Sequence, residues 1–211
     1  MQYCTELSDY ATVMNCAIRE NLCENIEFRY AEFIPLEEDV EVMVLSGEMV
    51  SQLMKYEFSS SRLNEARDIF IAGYLTGQRF SDYSRLSTDM YEVFDGRKFI
   101  RIIQQKTGSE IYIPLDKRVD LILRRYCGRL PEMNLCEFNL RLREIGEKMG
   151  WSGRLTSHTA RRSFATNAYC AGIPMASIMC ITGHTREEHL RRYLHLKADV
   201  LALQAARDLY G

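Results

Sequence analysis

The chain has 211 residues, 46% of them hydrophobic, enough for one sizeable core and a smaller appendage but not for several full domains. No run approaches the ~20 apolar residues that span a bilayer, and Met1 to Tyr10 carries Glu6 and Asp9 where a signal peptide would be basic and then apolar, so the expected location is the cytoplasm, with no membrane partner. The net charge is -2, yet residues 1 to 60 hold 3 basic and 12 acidic residues, residues 61 to 149 hold 16 and 13, and residues 150 to 211 hold 8 and 4. The acidity is N-terminal, and the mildly basic remainder is permissive for nucleic acid without pointing to it.

In chain order, Leu7, Tyr10, Ala11, Met14, Ala17 and Ile18 recur at three- and four-residue steps, as on one face of a helix from Tyr3 to Asn21. A polar, acidic stretch with Pro35 and Glu37-Glu38-Asp39 follows and reads as a linker. It divides an acidic helical segment, residues 1–45, from a main domain, residues 46–211. Ser46 can cap a helix bearing Met49, Val50, Leu53 and Met54. In the next helix Leu63, Ala66, Phe70, Gly73 and Tyr74 share a face; Gly77 stops it, and Arg79 follows directly. Lys98 to Ile103 and Glu110 to Pro114 are rich in β-branched and aromatic residues, and Lys106-Thr107-Gly108 suits the hairpin turn between them.

The second half reads as helices. Val119, Ile122, Leu123 and Tyr126 make one stripe; Phe138, Leu142, Ile145 and Met149 make another, closed by Gly150. Thr156 and Ser157 can cap a helix through Phe164 and Ala168 that ends at Gly172. Pro174 suits a first helical position and Gly183 a stop, while Thr185 with Glu188 forms a capping box for a helix through Leu190, Tyr193 and Leu194. A last helix is expected from Asp199 to Tyr210. The class is mainly α with a small antiparallel β-hairpin, an α+β fold. The seven cysteines, Cys4, Cys16, Cys23, Cys127, Cys136, Cys170 and Cys180, show no metal-binding or redox spacing and read as reduced packing residues.

His158 and Arg161 stand three apart near a helix start, on one face, where an anion would meet two donors and the positive helix end. Taken alone, such a pair is usually capping or surface chemistry. Cleaving a phosphodiester requires positive donors around its non-bridging oxygens. Arginine suits this best, because its rigid fork stays charged; Arg79 and Arg161 are the candidates. An attacking hydroxyl must lose a proton and the leaving oxygen must gain one, tasks open to histidine and lysine.

These segments together resemble the tyrosine recombinase (phage integrase) family. The matching residues are Thr76-Gly77-Gln78-Arg79-Phe80-Ser81-Asp82, Gln105-Lys106-Thr107-Gly108, Ser157-His158-Thr159-Ala160-Arg161-Arg162-Ser163-Phe164-Ala165-Thr166, Gly183-His184 and Arg192-Tyr193. They cover roughly residues 46 to 205, and the third and fourth segments are most similar in wording to integrases of mobile elements in Bacteroides-type bacteria. The resemblance implies the catalytic-domain fold of that family and a site-specific recombinase of double-stranded DNA. It makes Tyr193 the nucleophile that takes the 3′ phosphate, with Arg79, Arg161 and His184 holding the scissile phosphate. His158 becomes base and phosphate donor, Lys106 the acid for the leaving 5′ oxygen, and Asp82 a residue orienting Arg79. No metal, cofactor or ATP is implied, and the expected assembly is a tetramer on DNA formed from monomers. Residues 1–45 would be the remnant of a core-binding domain, and the chain a shortened or truncated gene product.

Other readings stay open. Lys106 could be a solvated hairpin lysine, and Tyr193 a packing tyrosine, as Tyr169 and Tyr210 are read to be. Arg162 and Arg191 are assigned at most a phosphate contact. His158, His184, His189 and His195 lack the i, i+4 spacing of a zinc motif. Competing functions are DNA relaxation of the type IB topoisomerase kind and an inactive remnant that binds DNA or a partner recombinase without cutting.

Overall fold

The structure is a computed structural model that describes residues 13–20, 22 and 43–194, with the backbone alone at residues 192 and 193. The chain divides into two units, Met1–Glu41 and Val42–Gly211. In the first, a helical stretch over 13–19 leaves Val13, Cys16 and Arg19 exposed, while Met14, Ala17 and Ile18 are half-buried. That agrees with the face read from the sequence; the rest of that helix, and the helix expected over 199–210, lie outside the described residues.

The second unit is built around one helix. Here α1 is Gly47–Lys55, α2 Ser61–Thr76, α3 Phe80–Tyr83, α4 Lys117–Arg125, α5 Leu135–Lys148, α6 Ser157–Cys170, α7 Met175–Thr182 and α8 Glu187–Tyr193, with strands β1 Tyr91–Phe94, β2 Arg97–Ile103 and β3 Glu110–Pro114. Helix α2 packs against α1, α3, α4, α5 and α6, and such a central position demands burial all round. It accordingly buries Leu63, Ala66, Ile69, Phe70, Ile71 and Ala72, and even Arg67 and Asp68. Those two charges are satisfied by pairing: Arg67 Nε donates to Asp68 Oδ1 at 2.9 Å, and Asp68 Oδ2 accepts from Arg125 at 2.7 Å and from Tyr126 at 2.9 Å.

The strands form one antiparallel sheet in the order β1-β2-β3, with Tyr91 opposite Ile100 and Ile100 opposite Ile113. Ile100, Ile102, Ile111 and Ile113 face the core, following the period-two alternation of a half-buried sheet. Strand β1 was not anticipated. Asp95 and Gly96, at φ 49° and 70°, make the tight turn that joins it to β2, the backbone that Asp-Gly favours in two-residue hairpins.

A smaller apolar cluster, Ala165, Ala168, Ile178, Leu190 and Leu194, ties α6, α7 and α8 together. It fixes the backbone of α8, and with it that of Tyr193. Two helix starts differ from expectation: Pro174 is the N-cap of α7 rather than its first residue, and α8 begins after Arg186 with no side-chain cap in place of the Thr185–Glu188 box. The cysteines differ as well. Among the described residues, Cys16, Cys127, Cys136 and Cys180 are free and exposed, so these four are not packing residues, whereas Cys170 is half-buried. Among the described residues no helix is long and apolar enough to cross a membrane.

Candidate active site

Three chain turns converge at one end of the main unit. The first follows α2, where Gly77 caps the helix at φ 66°. A Cβ at Gly77 would lie 2.4 Å from Phe164 of α6, so glycine is required both for the left-handed turn and for this close approach. Arg79 then runs extended, and α3 is locked behind it: Phe80 stacks on Phe138 at 4.9 Å, and Tyr83 is fully buried against Gly73. Arg79 is thereby held on a short rigid link, and its Nη1 is buried with no hydrogen-bond partner among the described residues.

The second turn is the start of α6, where Thr156 and Thr159 form a reciprocal cap. Arg161, 1% exposed, extends its Nη1 to the carbonyls of Gly77 at 3.0 Å and Thr182 at 2.7 Å. Its Nη2 lies 3.2 Å from His184 Nε2 and 3.4 Å from Nδ1, so it sits across the ring rather than in line with one nitrogen. One turn earlier on the helix, His158 is surrounded by cations. Burial foremost, and then the charges of Arg162, Arg161, Arg79 and Lys106, push its pKa below the ordinary 6.5.

The third turn ends α7, with Gly183 at φ 72°. The Thr182 hydroxyl donates to Ile178 O at 2.6 Å, which leaves its oxygen to accept from His184 Nδ1 at 2.7 Å. That makes Nδ1 the protonated nitrogen when the His184 ring is neutral. Its pKa agrees: burial first, then Arg161, Arg79 and His189, push it down to about 4. Lys106 sits exposed in the β2–β3 turn, near enough for its charge to reach His158.

Arg79, Lys106, His158 with Arg161, and His184 are thus brought together from four separate stretches of sequence. Asp82 is not placed as expected. Among the described residues it makes no hydrogen bond to Arg79; its Oδ1 instead accepts from the Gln105 amide at 2.8 Å and Arg85 Nη2 at 3.4 Å, so it anchors the Lys106 turn. The side chain of Tyr193 lies outside the described residues; its backbone closes α8. Arg162, given at most a phosphate contact from sequence, exerts the largest effect of any charge on His158, second only to burial. Gln78 and Gln104, both fully buried beside these turns, carried no signal in the sequence beyond their place next to Arg79 and Lys106.

Such a cluster of guanidinium, ammonium and imidazole groups suits a single anionic group bound from outside. Residues 43–199 match the profile of the phage integrase family. The chain belongs to that family. By sequence, no curated protein matches it. By structure, this integrase-family chain is similar to the Tn1549 transposon integrase in complex with a circular intermediate DNA, with a TM-score of 0.69, 15% identity, and coverage of 96% of this chain and 78% of that one. It is similar also to a lambda integrase dimer bound to a COC′ core site (0.65, 16%, 89% and 70%). A third likeness is to the XerH site-specific recombinase in a post-cleavage complex with its palindromic difH substrate (0.64, 17%, 77% and 52%). The chain spans about half the length of that XerH chain. At these identities the likeness is one of fold: helix-rich, with a small antiparallel sheet.

Proposed function

We propose that this chain is a site-specific DNA recombinase, cutting and resealing strands through a covalent link between a DNA 3′ phosphate and Tyr193. In this reading residues 46–211 are the catalytic domain and residues 1–45 belong to a helical core-binding unit. The likeness to the Tn1549 integrase, covering 96% of the chain, supports including that segment. The active form is a tetramer on double-stranded DNA, working in the cytoplasm. The wording of Ser157 to Thr166 and of Gly183-His184 supports the narrower assignment to mobile-element integrases of the Bacteroides type.

One observation carries the proposal: Arg79 and Arg161 act on both imidazoles, and Arg79 keeps a buried Nη1 without a hydrogen-bond partner among the described residues. Buried donors are rarely left unpaired unless a ligand completes them. In the proposed step the Tyr193 phenol oxygen attacks phosphorus and its proton passes to His158, which burial and then its cationic surroundings keep neutral. The bond from phosphorus to the 5′ oxygen breaks, and Lys106 protonates that oxygen. Arg79 and Arg161 hold the charge that builds on the non-bridging oxygens. The phosphate's own charge offsets the cations that depress His184, so this ring takes up a proton as DNA docks and becomes a further donor. The phosphotyrosyl ester conserves the bond, so a 5′ hydroxyl reseals the strand without ATP.

A nicked suicide DNA, made from the ends of the element that carries the gene, tests this. Wild type should accumulate a covalent protein–DNA product and Tyr193→Phe none. If wild type binds that DNA yet forms no more adduct than Tyr193→Phe, the chain is a binder and the proposal fails.

A further inference from the structure

The last turn of α7 has carbonyls with no helical partner, as every helix end does. Here they are not left to water. Ile181 O accepts from Gln78 Nε2 at 2.6 Å, and Thr182 O accepts from both Gln104 Nε2 at 3.0 Å and Arg161 Nη1 at 2.7 Å. The two amides are also joined, Gln104 Nε2 donating to Gln78 Oε1 at 2.8 Å, and Gln78 Nε2 reaches Thr76 O at 3.0 Å. Gln104 Oε1 accepts from the Thr107 hydroxyl at 3.0 Å, next to Lys106. The backbone closes on the same residue: Gly108 N donates to Gln104 O at 2.8 Å and Gln104 N to Ser109 O at 2.9 Å.

We infer that Gln104, locked to Gln78, is a positioning residue that fixes the Lys106 turn against the end of α7 and the Arg161 guanidinium. The reason is physical. Both glutamines are 0% exposed, and a core filler at either place could have been leucine. A buried amide is stable only when its donors and acceptor are all met, so the pair admits one arrangement of the turn. Lysine carries a compact charge on a flexible stem; where its turn sits decides where its ammonium can reach. Asp82, bonded to the Gln105 amide at 2.8 Å, holds the same turn by its backbone.

The inference rests on the proposed role of Lys106 as proton donor to the leaving 5′ oxygen, and the experiment separates the two. Cleavage is timed on two suicide DNAs that differ only in the 5′ leaving atom, oxygen or sulfur. A thiol is a far stronger acid than an alcohol, with a pKa of about 8.5, so a sulfur leaving group departs without a proton donor. On the oxygen substrate Lys106→Ala should slow cleavage by about 100-fold and Gln104→Leu by about 10-fold or more; on sulfur both should return to within about 3-fold of wild type, while Arg161→Ala stays slow. Thr107→Val, which removes only the hydroxyl bond to Gln104, should show the same pattern at smaller size. Gln104→Leu at the wild-type rate on oxygen would overturn the inference. So would equal slowing of Gln104→Leu and Thr107→Val on both substrates while Lys106→Ala is rescued, since the glutamine would then serve only the fold. Failure of sulfur to rescue Lys106→Ala would remove the acid role of Lys106 itself, and the inference with it.

Discussion

Gln104 and Arg161 donate to the same acceptor, the carbonyl oxygen of Thr182, at 3.0 and 2.7 Å. One helix end therefore holds both the turn that carries Lys106 and the guanidinium expected to face the phosphate. The carbonyl has two lone pairs and both are used. Arg161 is in this sense as much a structural residue as a site residue, whereas Arg79, with its buried and unpartnered Nη1, is held ready at a cost to stability.

The two arginines should consequently separate in mutation. Arg161→Met leaves the carbonyls of Gly77 and Thr182 without that donor, and should lower stability by roughly 2 to 4 kcal/mol. Arg79→Met should leave stability unchanged or raise it, as removal of a strained functional group does. Both should reduce covalent adduct by at least ~100-fold. Urea unfolding beside adduct assays checks this; equal destabilisation would make Arg79 a fold residue.

Gly183 faces the Gln104 amide so closely that a Cβ there would lie 2.3 Å from Oε1, at φ 72°. Gly183→Ala should cost about 3 kcal/mol or more, adding left-handed strain to overpacking against a buried group that cannot retreat. Gly172, at φ 82° with nothing within 4 Å of its added Cβ, supplies the contrast, and Gly172→Ala should cost only about 1 to 2 kcal/mol. Similar losses in denaturant melts would mean that the Gln104 contact is soft.

The histidines set a pH dependence with a definite sign. His184 has an ordinary pKa of 6.5 when unfolded and about 4 when folded, so between those values the unfolded chain binds more protons. Stability should then fall as pH drops from 6.5 toward 4 and be flat above that window; His158, shifted in the same direction, adds to the slope. Urea midpoints across this range should show it, and His184→Gln should flatten it. An unchanged slope in that variant would contradict the buried neutral ring.

Asp82→Ala removes the acceptor of the Gln105 amide and should cost about 1 to 3 kcal/mol, with faster hydrogen exchange at Gln105. Asp82→Asn keeps an acceptor and should lose less. An exchange rate at Gln105 that does not change in Asp82→Ala would remove the carboxylate as anchor of the turn.

Much of this was legible because local rules and tertiary packing agree. The stripe from Leu63 to Tyr74 and its stop at Gly77 fix α2, and Ser46 caps α1 through its hydroxyl, 3.2 Å from the Met49 amide. The β2–β3 hairpin followed from β-branched residues around Lys106-Thr107-Gly108. Strand β1 was missed because Tyr91 to Phe94 is short, although Asp95-Gly96 announced its turn. The Thr185–Glu188 box is a pattern that forms only if the chain turns one residue earlier, and in the structure it turns at Arg186. The glutamine pair was invisible because polar residues next to catalytic candidates read as surface; only the fold reveals that they end up facing carbonyls 78 residues or more further on. Asp82 was assigned to Arg79 through the family resemblance alone, whereas the turn after β2 offers it another donor, the amide of Gln105.

The central claim is that this cluster makes a DNA phosphate pass to one tyrosine, and mass spectrometry of the trapped product tests it most directly. After nuclease and protease digestion of the suicide complex, the account predicts a nucleotide 3′-phosphate on the peptide containing Tyr193 and on no other residue. A nucleotide on Tyr169 or Tyr210, or on no tyrosine of a chain that has cut its DNA, would contradict it.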